Sequence, residues 1–494
     1  MPAGYAPRMD TIDPPYLAGL RRLSAGEPAK AIPLLRAALA RDPDHAGARR
    51  NLVRALSLAG QFAATIAETH DTSAADAETY YLRGTAFNAL GCPAKAIAPL
   101  TAAVALDPAH APAWLNLGNA FADLDDLATA EAHCRRALAL DPGLVEAHVS
   151  LGVLQTERGR AIEGLATHER AVQMWPDHPD ANWSLAIAAL RMGDLPRGFR
   201  LYEWRKRHPR HREDFPVLPG PVWPGPVGNG QDPAGRTILV RAEQGFGDAI
   251  QFARYLPEIR RLGGRPVLAC APPLIPLFDR VEGVRVVPAA LPPPPYDAWI
   301  DQMSLPRVFG TTLDTIPAAE GYLRAAGPAV EAHRAGLPSG VLRVGVAWAG
   351  NPRHRNDRRR TPPPETFAPL LALPGVCFVN LVPDRPFPGL AMPARPLTDF
   401  AETAALIAAL DLVVSVDTAV AHLAGALGRP VWIALPRAAD WRWFLNSDVT
   451  PWYRSARLFR QPVPGAWPDV AARLAEALEI GLTDRNKIGR NDDG

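Results

Sequence analysis

A 34-residue beat runs through the chain up to about Arg207, and few folds accept one. Asp107-Pro108 recurs as Asp141-Pro142, and Trp175-Pro176 falls one step later. Gly84, Gly118 and Gly152 keep the same interval, as do Phe87 with Phe121 and Ala103, Ala137 and Ala171. Between these marks Ala, Leu and charged residues fall at helical spacing. A unit of this length is a helix pair that cannot bury its own apolar face, so neighbours must stack to complete a core. Asp42-Pro43 marks an earlier copy, 65 residues before Asp107-Pro108 and so three short of two periods. A shortened turn in the second repeat, around residues 51–72, is the expected cause.

The fullest copy, APAWLNLGNAFADLDDLATAEAHCRRALALDP, has Trp114, Leu117, Gly118, Phe121, Ala130, Ala137 and Pro142 at fixed offsets. It resembles the tetratricopeptide repeat. The resemblance implies an all-α repeat solenoid over residues 1–208 and a macromolecular partner, protein or glycan. The last copy, residues 180–207, runs into the basic-aromatic LYEWRKRHPRHR. That run reads as a solvated terminal cap or, alternatively, as a nucleic-acid surface. Lys+Arg 53 against Asp+Glu 51 leaves a formal charge of only +2. No global field draws such a chain to nucleic acid or an anionic membrane.

The 494 residues suggest about three folding units. Cys92, Cys134, Cys270 and Cys377 lie far apart without metal-ligand spacing, so neither a metal site nor a disulfide framework is expected. The start, MPAGYAPRMDTIDPPY, lacks the apolar core of a secretory signal. The longest apolar run, residues 404–416, is broken by Asp411. A soluble, cytoplasmic protein is expected.

Residues 209–233 hold seven prolines and four glycines, the composition of a linker or strap. Beyond them TILVRA, RPVLACA, VRVVP, LRVGVAWAG, CFVNLVP, DLVVSVD and PVWIALP alternate with helical stretches. Continuous apolar strands separated by helices predict parallel sheets covered on both faces. Two clusters of strands predict two doubly wound lobes, over residues 234–332 and 333–494, the latter including the tail.

Ligands of such sheets sit beyond the carboxyl ends of strands, and three loops there stand out. In RAEQGFGDAIQFARYLP, Gly245 and Gly247 are expected to let the backbone turn tightly. Asp248 then opens a helix as an N-cap or as a catalytic carboxylate. In VAWAGNPRHRNDRRRTPPPETF a dense basic loop reads as a solvated run or as a site for a diphosphate. In DLVVSVDTAVAHLAGALGRPVWIALP, Asp417 or Thr418 caps a helix whose free amides suit phosphate. His422 is there a satisfied core histidine or a ligand contact. The aromatic cluster Trp441, Trp443, Trp452 and Tyr453 suits stacking on a sugar or base, or plain packing.

QGFGDAIQFARYLP, GVAWAGNPRHRNDRRR and SVDTAVAHLAGALGRPVWIALPRAADWRW together resemble the heptosyltransferase-like glycosyltransferases, and more closely their bacterial members fused to tetratricopeptide repeats. The resemblance implies a GT-B fold of two Rossmann-like lobes, with acceptor in the first and nucleotide sugar in the second. It implies inverting transfer with no cofactor or metal, the nucleotide diphosphate sugar being a co-substrate. By position Asp248 matches the catalytic base. The implied substrate and nucleotide contacts are Gln244, Gly245, Gly247, Asn351, Arg353, Arg358, Arg360, Asp417, Thr418 and His422. Where the family carries a lysine, this chain offers arginines. The rival reading is a catalytically inactive domain in a repeat-based scaffold or sugar-nucleotide sensor.

Overall fold

The computed structural model describes residues 14–70, 76–208, 215–226, 232–317, 321–352, 357–383 and 385–489, with residue 358 and residues 483–489 described by backbone alone. Two compact units divide the chain, Met1–Trp175 and Pro176–Gly494.

The first unit is a stack of helix hairpins. First helices of 13 residues (Ala46–Leu58, Ala77–Ala89, Ala111–Asp123, Val145–Glu157) alternate with second helices of 14 (Pro28–Arg41, Pro93–Leu106, Leu127–Leu140, Ala161–Met174). The residues that turn each hairpin have positive φ: Gly26, Gly60, Gly91, Asp125 and Gly159. Those positions are 34, 31, 34 and 34 residues apart, so the missing three residues fall between Gly60 and Gly91. The turn at Gly60 is nevertheless full length. The shortfall lies in the second helix, Phe62–Glu68, which has only 7 residues. Asp76 then starts the next helix early, its Oδ1 accepting the Thr79 N–H at 2.8 Å. The expected shortened turn is thus a shortened helix.

Small residues sit where helices cross because nothing larger fits. A Cβ on Gly84 would lie 2.4 Å from Leu100, and one on Gly152 would lie 2.5 Å from His168. Apolar clusters join neighbouring hairpins, as Leu100, Ala103 and Val104 do with Ala113, Leu117 and Ala120. Glu131 is wholly buried, yet it pairs with Arg135 on its own helix and with Arg158 and Arg160 of the following hairpin.

The second unit begins with one more hairpin, Pro179–Arg191 and Leu195–Tyr202, followed by a 3₁₀ turn over Glu203–Arg207. It is no solvated cap. Arg205 is fully buried, with its fork on Glu243 at 2.6 and 3.0 Å, and Lys206 reaches Asp301 at 2.8 Å. Phe199 stands edge-on to Phe252, Trp441 and Trp452. The Pro/Gly-rich stretch is a strap where it is described: Trp223 is buried, and its N–H donates to the Trp299 carbonyl at 2.7 Å.

Nine strands among the described residues form two all-parallel sheets. The first contains β1 (Thr237–Arg241), β2 (Arg265–Cys270), β3 (Arg285–Pro288) and β4 (Ala298–Asp301), in the order β3-β2-β1-β4. The second contains β5 (Leu342–Ala347), β6 (Val376–Asn380), β7 (Leu412–Val416), β8 (Val431–Leu435) and β9 (Ala456–Arg460), in the order β6-β5-β7-β8-β9. Chain direction across each sheet reverses beside its first strand, between β1 and β4 and between β5 and β7. Crevices for ligands open at such switch points, beyond the strand ends. No helix among the described residues is long and apolar enough to cross a membrane.

Candidate functional site

All three singled-out loops lie at these switch points. After β1 the chain passes through Gln244, whose φ of 63° places a non-glycine residue in the left-handed region. Such strain persists only where the surroundings hold it. Tyr202 donates to Gln244 Oε1 at 3.3 Å, and Glu243 beside it is clamped by Arg205. The flexible-glycine expectation is corrected here. Gly245 has φ −86°, and Gly247 lies within the helix Phe246–Phe252. Gly247 is needed for space instead, since a Cβ there would lie 2.8 Å from His422 Cδ2.

Asp248 occupies the first turn of that helix. Its Oδ2 accepts the Gly245 N–H at 2.9 Å, and its Oδ1 accepts from Arg442 Nη2 of the second lobe. The side chain remains 19% exposed and so is open to solvent.

At the second switch point Thr418, not Asp417, caps the helix Ala419–Ala426, its Oγ1 accepting the Val420 N–H at 3.3 Å. The carboxyl of Asp417 is pushed up to about 6, by burial first and by the charge of Asp440 second, against the pull of Arg360. Arg360 Nη1 donates to the Asp417 carbonyl at 2.9 Å and its Nε to Asp357 at 3.1 Å, which folds the end of the basic loop onto the crevice. Asn351 lies exposed further out in that loop. Arg353 and the Arg358 side chain lie outside the described residues.

His422 Nδ1 is bonded to the Tyr453 hydroxyl at 2.9 Å, and its ring stacks on Trp443 with centroids 5.2 Å apart. Burial, with Arg442 nearby, drives its pKa down to about 3, so it is neutral at physiological pH. It therefore acts by packing or neutral hydrogen bonding, not as a phosphate-binding cation. The aromatic cluster likewise resolves as core: Trp441, Trp443, Trp452 and Tyr453 are all essentially buried.

Sequence reasoning missed Arg442. Its guanidinium reaches Asp248 and Gln251 of the first lobe and Asp440 of its own, and it lies 4.2 Å over the Trp441 ring. It joins Gly247, Asp248, Asp417, Thr418, His422 and Arg360 into one neighbourhood, with Gln244 and Gly245 at its edge. The available signal was an arginine between two tryptophans in ADWRWF, because a charge within a buried aromatic run must be paired.

Residues 392–446, which carry Asp417, Thr418, His422 and Arg442, match the model of glycosyltransferase family 9 (heptosyltransferase). Residues 22–84 and 111–144 match tetratricopeptide-repeat models. Protein FlbA of Caulobacter vibrioides is 31% identical over 334 residues, 59% of this chain and 54% of FlbA, so the chain spans about half the length of that relative. A thermophilic TPR protein of Thermus thermophilus is 25% identical, covering 36% of this chain and 97% of its own, with a TM-score of 0.32. YrrB, a TPR protein with an unusual peptide-binding site, is 21% identical, covering 34% of this chain and 89% of its own, with a TM-score of 0.30. The chain thus carries tetratricopeptide repeats at its N-terminus and, towards its C-terminus, a segment of the glycosyltransferase family 9 (heptosyltransferase) type.

Proposed function

We propose that the protein is an inverting, metal-independent GT-B glycosyltransferase of the hexosyl or heptosyl type. It moves a sugar from a nucleotide diphosphate sugar to a protein or glycan acceptor recruited by the repeats. The observation that carries this reading is the meeting of an accessible carboxylate from one lobe, Asp248, with the Thr418 helix start and Arg360 of the other. In this reading Asp248 removes the acceptor proton as the glycosidic bond forms on the opposite face of the anomeric carbon from the leaving group. Arg360 and the amides at the start of Ala419–Ala426 take up the charge of the departing nucleoside diphosphate. Four free thiols suit a reducing compartment, the cytoplasm.

Binding of a panel of nucleotide diphosphate sugars to the full-length protein tests the donor half. Arg360→Ala is expected to weaken a nucleoside diphosphate by about ten- to a hundredfold, the worth of one charge-assisted contact, and the free nucleoside far less. Equal losses for both would show that Arg360 serves only the fold. The acceptor half is tested by a chain beginning at Pro176, which keeps the hairpin that belongs to the second unit. It is expected to retain donor affinity while losing turnover of the macromolecular acceptor, and unchanged turnover would refute recruitment. One observation favours the inactive-sensor reading: both oxygens of Asp248 are already engaged. Donor binding by a wild-type protein that transfers no sugar would support it.

A further inference from the structure

A cavity of about 620 Å³ opens at the carboxyl ends of β8 and β9. Its lining includes Arg437, Arg460, Gln461 and Arg473 but neither Asp417 nor Thr418. Arg460 donates Nη2 to the carbonyls of Trp443 and Phe444 at 2.8 and 2.9 Å. Those bonds hold the loop in which Phe444 and Asn446 have φ of 53° and 50°. The remaining Nε and Nη1 of Arg460 are buried without a hydrogen-bond partner. Gln461 is 2% exposed; its Oε1 accepts the Arg437 N–H at 3.2 Å, while its Nε2 is buried and unpartnered. These atoms have no exposed surface; the cationic side chains open to a ligand here are those of Arg437, half-buried, and Arg473, exposed.

The charge balance indicates which ligand. Three arginines face two carboxylates, Asp448 and Asp469, in the lining, and no ion pair joins Arg437 or Arg460 to a carboxylate among the described residues. Arg191 and Arg437 crowd Arg460 further: burial first, and then these like charges, push it down to about 10 against the weaker pull of Asp448 and Asp417. Guanidinium forks match the oxygens of a phosphate group.

We propose that this cavity binds a phosphate group, either free phosphate or the head of a phosphoester, at a site separate from the Asp417 crevice. The inference does not rest on the transfer reaction. The cavity has room beyond a bare phosphate for the group that carries it.

The test is calorimetric titration of the full-length protein, at constant ionic strength, with inorganic phosphate, glucose 1-phosphate and glucose. Both phosphate probes are expected to bind saturably and glucose not at all. Tighter binding of glucose 1-phosphate marks a phosphoester ligand, and equal binding marks free phosphate. Because Arg460 also holds its loop, the variants are Arg437→Gln, Arg473→Gln and their combination, with melting temperatures taken without ligand to show that they fold. Each single change is expected to weaken phosphate by about tenfold or more, and Arg360→Ala to leave it unaltered. The proposal is overturned if wild type binds neither phosphate probe, or if the folded double variant binds as wild type does. Loss of binding in Arg360→Ala would also overturn it, since the phosphate would then sit at the Asp417 crevice.

Discussion

Asp248→Asn is expected to lower sugar transfer by about 10²–10⁴-fold, the usual worth of a positioned base, while donor affinity stays near wild type. The amide is the same size, and its oxygen still accepts the Gly245 N–H that holds the helix start. Arg442 loses one carboxylate but keeps Asp440 and Gln251. The assay must follow the true acceptor, because hydrolysis of the donor by water can take another route. Asp417 is the competing carboxylate. In the proposed reading it stands on the phosphate side, where ionisation opposes the donor; burial first, and the charge of Asp440 second, push its carboxyl up to about 6. Near wild-type transfer by Asp248→Asn, together with abolished transfer and intact donor affinity in Asp417→Asn, would move the base to Asp417.

The largest stability effect is expected at Arg442. Arg442→Met removes the cation shared by Asp248 and Asp440 and leaves buried Gln251 without its partner; with Asp440 38% exposed and open to solvent, the cost is about 1–3 kcal/mol. Denaturant unfolding of the second unit would register it as a lower midpoint. Arg442→Lys keeps the charge but loses the fork that spans three partners, so it should fall between the two. The pH dependence has a definite sign. Burial alone would raise the Asp440 carboxyl, but Arg442 more than offsets this and holds it below the ordinary value. This contribution is present above the unfolded pKa, about 3.9, and is lost as pH falls through the folded value. Arg442→Met should therefore cost most near neutrality and progressively less in acid. A midpoint unchanged at pH 7 would remove Arg442 from the role of tie between lobes.

What could be read in advance depended on whether the constraint was local. The 34-residue beat reports helix crossing and turn geometry within one hairpin, so Gly84, Gly118 and Gly152 revealed the packing directly. The lost three residues were visible as a count, but their place was not, because a helix and a turn lose residues alike in sequence. β4 was hidden behind Pro292–Pro295, and β9, ARLFR, has charges where an apolar run was sought. Asp248, Thr418 and His422 were singled out by their motifs. Arg442 was not, since its partners Asp248 and Gln251 lie nearly two hundred residues away and only the folded chain brings them together. The need for Gly247 likewise comes from His422, in the other lobe.

The hairpin at Pro179–Arg207 constrains how such a chain can change length. Upstream of Trp175, gain or loss of whole 34-residue units alters only how many hairpins stack, at little cost to the second unit. Within the hairpin the same event would uncouple Tyr202 from Gln244 and Arg205 from Glu243, and so displace the loop that presents Asp248. Insertions and deletions should therefore accumulate on one side of Pro176 and be purged on the other, although the residues on both sides are written in the same repeat grammar.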